Sequence, residues 1–191
     1  MKRIGLFHVP IHINQLELPH EEISEYVRQK FKNKKPYTSY YSADFNEELC
    51  SGMPARNRFI QQANHACIEF LKVRGVPESY MKNQNVKFWF SIYREGDKHC
   101  LHTHPRSLCS GTYYPYADNI SVPIRFRNPA NAIISMSEPT IPPDNFLWYF
   151  HQPTTGEMNI WPSWLEHEVG IQGPVERGKE RIAISFNFCK S

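Results

Sequence analysis

Apolar and polar positions divide the chain into two textures. Up to about residue 84 the apolar side chains recur at three- and four-residue steps; beyond it they mostly alternate with polar ones. In Glu21–Phe31 the side chains of Ile23, Val27 and Phe31 lie four residues apart, on one face of an amphipathic helix. Arg56–Val73 carries Phe59, Ile60, Ala63, Ala66, Cys67, Phe70 and Leu71 on the same kind of spacing and predicts a second helix, stopped by Gly75 and Pro77. Ile4–Ile13 reads as an edge strand, because Pro10 has no N–H to give to a ladder. Asn33–Gly52 is polar and aperiodic and reads as loop.

The second texture begins with Val86–Tyr93, aromatic and β-branched, and turns at Glu95-Gly96-Asp97. Further strands are expected at His99–His104, Ser110–Tyr116, Val122–Arg127, Phe146–Phe150, Glu157–Pro162, His167–Ile171 and Glu180–Phe188. The last is the most informative. Ile182, Ile184, Phe186 and Phe188 share one face, while Arg181, Ala183, Ser185 and Asn187 share the other. The two helices are available to cover the apolar face; the polar face then lies in a barrel interior that must be paired or filled, or else in water. The expected architecture is α+β: a jelly roll of about eight strands with two N-terminal helices packed on one sheet. Residues 1–191 read as one domain, helical to about residue 84 and a β core over about 85–189.

Composition adds limits more than direction. The 191 residues are 40% hydrophobic and 21% charged, with a formal net charge of +3, ordinary for a globular chain. The basic run Lys30–Lys35 reads as a solvated helix end, so no clear nucleic-acid footprint is present. No apolar stretch approaches the ~20 residues of a membrane span. The run after Met1-Lys2-Arg3 breaks at His8, Pro10 and His12, too early for a secretory signal. Five cysteines without a C-x-x-C pair fit a reducing compartment, and the expected location is cytoplasmic.

Candidate chemistry centres on His99-Cys100-Leu101-His102-Thr103-His104-Pro105. Strict alternation puts Cys100, His102 and His104 on one strand face and His99 on the other. Two imidazoles one strand step apart either share a metal or lie in solvent. A third, His167, follows in Trp161-Pro162-Ser163-Trp164-Leu165-Glu166-His167, and Arg181 stands further on. Three protein ligands with open positions suit a catalytic metal, and a nearby guanidinium can hold a carboxylate with two hydrogen bonds. The four tryptophans, Trp89, Trp148, Trp161 and Trp164, read as core or pocket wall, and Cys100 and Cys109 as buried structural thiols. Arg125 and Arg127 share a face that either meets an acidic substrate or lies in solvent.

The ordered set H-x-H-P…S-G-x-Y-Y, W-P-S-W-L-x-H-x-V and R-I-x-I-S-F-N resembles a small group of 2-oxoglutarate/Fe(II)-dependent oxygenases related to the prolyl-4-hydroxylase-like enzymes. The resemblance covers about residues 85–189. It implies a double-stranded β-helix and a metal held by His102, His104 and His167. It also implies 2-oxoglutarate bound at its far carboxylate by Arg181, with Tyr113 hydrogen-bonded to the same group. One position departs from the family pattern: His104 stands where a carboxylate is usual, leaving the site one charge more positive. The implied activity is a 2-oxoglutarate- and Fe(II)-dependent dioxygenase that consumes O₂ and hydroxylates an unidentified substrate, a small molecule or a protein side chain. Two other readings fit the same residues: a different three-histidine cupin-type metalloenzyme, and a non-enzymatic jelly-roll binding module.

Overall fold

Alternation in the second half and helical spacing in the first meet across one sheet. The computed structural model of the chain describes residues 8–32, 42–44, 51–130 and 147–190. Its elements run β1 (His12–Gln15), α1 (His20–Phe31), β2 (Ser42–Asp44), α2 (Arg56–Val73), a short α3 (Glu78–Met81), β3 (Gln84–Tyr93), β4 (His99–His102), β5 (Cys109–Tyr116), β6 (Ile124–Arg127), β7 (Trp148–His151), β8 (Glu157–Pro162), β9 (His167–Val169) and β10 (Arg181–Lys190). A six-stranded sheet in the order β1-β8-β5-β10-β3-β2 faces a four-stranded sheet in the order β4-β9-β6-β7. Every pairing among the described residues is antiparallel. This is the jelly-roll arrangement the strand pattern predicts.

The helices form where the spacing places them. In α1, Ile23, Val27 and Phe31 are buried, Glu21 and Glu22 sit in the first turn and Arg28 and Lys30 in the last, each charge at the end of the helix dipole that favours it. In α2, Phe59, Ala63, Cys67, Phe70 and Leu71 are buried. Burying a large side chain of this kind contributes about 1.5–3 kcal/mol. Gly75, at φ +72°, ends the helix: its N–H reaches the Lys72 carbonyl and that of Val76 the Leu71 carbonyl, a closure the left-handed conformation permits.

Both helices pack on the outer face of the large sheet. Ile182, Ile184, Phe186 and Phe188 of β10 join Phe59, Phe70 and Phe90 there. A second cluster lies between the sheets and contains Tyr93, Tyr114, Phe126, Trp161 and Ala183. The polar face of β10 therefore points into the barrel rather than into water. Gly111 of β5 is required by this packing, since a Cβ there would fall 2.3 Å from the Phe186 ring and 2.5 Å from the Asn159 carbonyl oxygen.

Two expectations in the N-terminal part change. Within the described residues the first strand is His12–Gln15, shifted toward the end of the expected Ile4–Ile13, because β1 pairs with β8 from His12↔Ile160 to Gln15↔Glu157; residues 4–7 lie outside the described residues. Asn33–Gly52 is not all loop: Ser42–Asp44 forms β2 by borrowing the free edge of β3, with Ala43 opposite Ser91. Three residues are too few to show a period of their own. Most of that stretch lies outside the described residues.

Candidate metal and carboxylate site

β4 and β9 lie side by side and place His102 directly opposite His167. His104 follows just past the end of β4, its backbone N–H donated to the Ser163 carbonyl at 2.8 Å. The metal-binding atoms of His102, His104 and His167 all lie within 4.8 Å of one another. Their tautomers are prepared for a cation. His102 donates Nδ1–H to the Cys100 carbonyl at 2.7 Å and His167 donates Nδ1–H to the Leu165 carbonyl at 2.8 Å, which leaves each Nε2 with its lone pair free. The Nε2 atoms of His104 and His167 face each other at 3.2 Å, a gap that two imidazole–metal bonds of about 2.0–2.1 Å span. The donor set of three neutral imidazoles suits iron, zinc, copper or nickel.

Burial holds these rings neutral. Desolvation is the largest cause in each case: it lowers His102, takes His104 to about 4 and drives His167 well below the ordinary histidine range, with neighbouring imidazoles adding to the effect on the last two.

His99 corrects a sequence expectation. Alternation puts it opposite His102, yet its ring stacks on His102 at 3.9 Å and it lines the same cavity. The pairing of β4 with β9 is irregular between His99 and His102: three steps on β4 oppose two on β9. That extra residue is a β-bulge, which turns His99 inward and leaves Cys100 exposed instead of beside the histidines. Cys109 is buried as expected. Burial takes His99 down to about 3, with His102 the next cause.

These depressed values have a consequence for the metal-free protein. Between about pH 4 and 6.5 the unfolded chain binds protons at His99 and His104 that the folded chain refuses, so stability falls as pH falls through that window. The loss is up to about 1.4 kcal/mol per pH unit for each imidazole. Urea midpoints of the metal-free protein should drop from pH 7 to pH 5, and a saturating divalent metal, which binds only the neutral rings of the folded state, should raise the midpoint at both pH values without removing the drop, because the protons are taken up by the unfolded chain. Equal midpoints at both pH values with no metal added would show that the rings protonate in place.

Arg181, 1% exposed, lines the same cavity. Its Cζ lies 4.6 Å from the Tyr93 ring centre and 5.1 Å from that of Tyr114, a double cation–π contact. Nη2 donates to the Tyr114 hydroxyl at 3.4 Å, whereas Nε and Nη1 are buried with no hydrogen-bond partner. A buried guanidinium with two such donors offers the geometry that holds a planar anion. Trp89, Trp161, Ile124 and Val169 are apolar wall residues of the cavity that Arg181 and the histidines share.

The structure does not bring Tyr113 to this site. Tyr113 points outward into the helix-side core, 5.7 Å from the Phe59 ring centre, with its hydroxyl against His20 Nδ1 at 2.5 Å. Tyr114, one residue on, faces inward and meets Arg181. The signal was present in the pairing: Tyr113 lies opposite Ile184, which belongs to the apolar face of the last strand, so both side chains must share that face. Arg125 and Arg127 are also settled. Arg125 pairs with Glu168 and lies over the Trp148 ring at 4.7 Å, and Arg127 pairs with Glu166 at 3.3 Å, outside the cavity. Of the tryptophans, Trp89 and Trp161 are buried cavity wall, whereas Trp164 is half exposed.

No curated protein matches the chain. Solved structures do. A Pseudomonas putida prolyl-4-hydroxylase aligns with a TM-score of 0.60 at 13% identity, over 96% of this chain and 94% of that one. HygX from Streptomyces hygroscopicus, solved with nickel and 2-oxoglutarate bound, aligns at 0.58 and 8% identity, over 96% of this chain and 83% of its own. Identities this low establish a shared fold. Residues 87–187, more than half of the chain, match the model of the family described as "Putative 2OG-Fe(II) oxygenase". That span contains His102, His104, His167 and Arg181, and the chain belongs to this family of 2-oxoglutarate- and Fe(II)-dependent oxygenases.

Proposed function

We propose that His102, His104 and His167 hold Fe(II), that Arg181 anchors the far carboxylate of 2-oxoglutarate, and that the chain hydroxylates a small molecule or a protein side chain. The observation that carries this reading is Arg181: buried, with two unsatisfied donors, in the cavity onto which three imidazoles converge. Both groups fit the residues present. The imidazoles offer neutral nitrogen donors with prepared tautomers, and the guanidinium offers a planar pair of donors. Bound Fe(II) with 2-oxoglutarate and O₂ supplies oxidative hydroxylation, giving succinate and CO₂.

The chain's own contribution is position, charge and exclusion of water. The carbonyls of Cys100 and Leu165 fix two ligand rings, and the Ser163 carbonyl fixes the backbone of the third. The rings of Tyr93 and Tyr114 lie against the guanidinium, and Trp89, Trp161, Ile124 and Val169 give the cavity an apolar wall that disfavours water. Three neutral ligands leave the full metal charge to attract a dianionic cosubstrate. We take residues 1–191 as one jelly-roll domain, because β1 and β2 form the edges of the sheet whose central strands carry Arg181 and Tyr114. A cytoplasmic location accords with the free thiols at Cys67, Cys100, Cys109 and Cys189. Among the described residues no helix is long and apolar enough to cross a membrane.

The test is anaerobic addition of Fe(II) and then 2-oxoglutarate, followed by the visible charge-transfer absorption of the chelate. A saturable band that needs both components supports the assignment; no band at millimolar 2-oxoglutarate sinks it.

A further inference from the structure

The inward face of the last strand carries polar groups on the side of the histidines away from Arg181. Across β3 and β10, Arg181 lies opposite Tyr93 and Ser185 lies opposite Trp89. Trp89 in turn adjoins His104, their ring centres 5.8 Å apart. Four strand residues, about 13 Å, separate the backbone of Arg181 from that of Ser185, which is level with Trp89 and His104. Ser185 and Thr112 of β5 both line the cavity, with their hydroxyl oxygens 3.2 Å apart. One step further out, Asn187 stands opposite Ser110 of β5 on one side and Lys87 of β3 on the other. Directly opposed residues share a face, and Lys87 is two residues from the cavity-lining Trp89, so this outer row belongs to the barrel side as well.

We propose that Asn187 and Lys87 form the anchoring subsite for the molecule to be oxidised, and that this substrate carries an oxyanionic group, a carboxylate or a phosphate. The assignment rests on the proposed metal and cosubstrate site and adds to it the chemical class of the primary substrate. Asn187 lies two residues past Ser185, which sets the oxyanion about 7–10 Å from the metal.

The chemistry of the row favours an anion. Ser110 Oγ donates to Asn187 Oδ1 at 2.8 Å, which commits the amide oxygen and leaves the Nδ2–H₂ group as the half available to a ligand. Ser110 is fully buried and Asn187 only partly so, so the amide is fixed from within while its outer half stays accessible. Lys87 is exposed, and none of the ion pairs among the described residues involves it. Nearer the metal, only one hydroxyl of the Thr112–Ser185 pair can donate to the other, so one proton remains for a third partner. An amide N–H and an ammonium suit an acceptor-only group, and hydrogen bonds to an ionised acceptor are the stronger kind. Position separates this subsite from the cosubstrate. Six strand residues, about 20 Å, lie between the backbones of Arg181 and Asn187, more than one small dicarboxylate spans.

The experiment loads excess protein with Mn(II) and saturating 2-oxoglutarate, and follows the paramagnetic relaxation of the methyl protons of two probes, acetate and methylphosphonate. Zn(II)-loaded protein is the diamagnetic reference, and the variants are Asn187→Asp and Lys87→Met. In the parent, at least one probe should show saturable relaxation at a distance of about 7–10 Å from Mn(II), and which probe responds separates a carboxylate from a phosphate anchor. Asn187→Asp keeps an acceptor for the Ser110 hydroxyl but sets a carboxylate against the anion, so probe affinity should fall more than about tenfold. Lys87→Met should cost about two- to fivefold, the range for an exposed ion pair. Affinities for Mn(II) and 2-oxoglutarate should stay at the parent level in both variants. The proposal is overturned, with the cosubstrate site left standing, by a parent that relaxes neither probe, by a distance that places the probe on the metal itself, or by unchanged probe affinity in both variants. A loss of 2-oxoglutarate affinity matching the probe loss in both variants also overturns it, since the row would then be structural. A parent that binds Mn(II) but no 2-oxoglutarate overturns the cosubstrate reading and this assignment together.

Discussion

Replacing Arg181 with methionine is expected to abolish measurable 2-oxoglutarate binding, leave metal affinity nearly unchanged, and make the metal-free protein more stable. The three effects share one cause. Removing the cationic partner of a buried carboxylate costs about 3–5 kcal/mol, a loss of roughly a hundred- to a few thousandfold in affinity. The histidines are on other strands, and their orienting hydrogen bonds to Cys100 and Leu165 do not involve Arg181. Without ligand, the guanidinium is 1% exposed with Nε and Nη1 unsatisfied, so an unbranched apolar side chain of similar length relieves a desolvation penalty. The lost cation–π contacts with Tyr93 and Tyr114 offset part of that gain. A net gain of about 1–3 kcal/mol corresponds to a melting temperature higher by several degrees for a chain of this size. Thermal melts of the metal-free proteins, with calorimetry of 2-oxoglutarate against the metal-loaded ones, read both effects. A destabilised Arg181→Met protein would mean that the guanidinium is satisfied by the fold itself and is not held in readiness for an anion.

The second large effect is expected at His104. His104→Ala should lower metal affinity by well over the 10–100-fold typical of removing an outer-shell partner, because it removes one of the three imidazoles proposed to hold the metal. His104→Asp should keep the metal, since a carboxylate also binds Fe(II) and the His104 backbone is held in place by the Ser163 carbonyl. The added negative charge should weaken attraction for the dianionic cosubstrate, so 2-oxoglutarate affinity falls relative to the parent while metal affinity does not. Metal titration and succinate formation, measured on parent and both variants, distinguish the outcomes. Parent-like metal affinity in His104→Ala would remove His104 from the ligand set, and succinate from His104→Asp alone would mark the natural site as a degenerate one.

Local periodicity determined much of this protein. The four-residue spacing of Ile23, Val27 and Phe31 and the apolar face of Arg56–Val73 are helical because neighbours along a helix are set by 3.6 residues per turn, whatever lies beyond it. The alternation from Arg181 to Phe188 likewise separated a helix-covered face from a cavity face within one strand. The i, i+2 histidines, His167 and Arg181 were legible as a set because their order and residue types carry the chemistry. Three things needed the tertiary structure. Which of Tyr113 and Tyr114 meets Arg181 depends on the register between β5 and β10, since a period of two defines two faces but does not say which one is inside. The inward turn of His99 and the exposure of Cys100 come from a bulge, a mismatch in residue count between β4 and β9 that exists only once the two strands pair. Asn159 looks, in sequence, like one polar residue in a buried strand. Only packing reveals that its side chain is fully buried, because burial is a property of surroundings assembled from several strands.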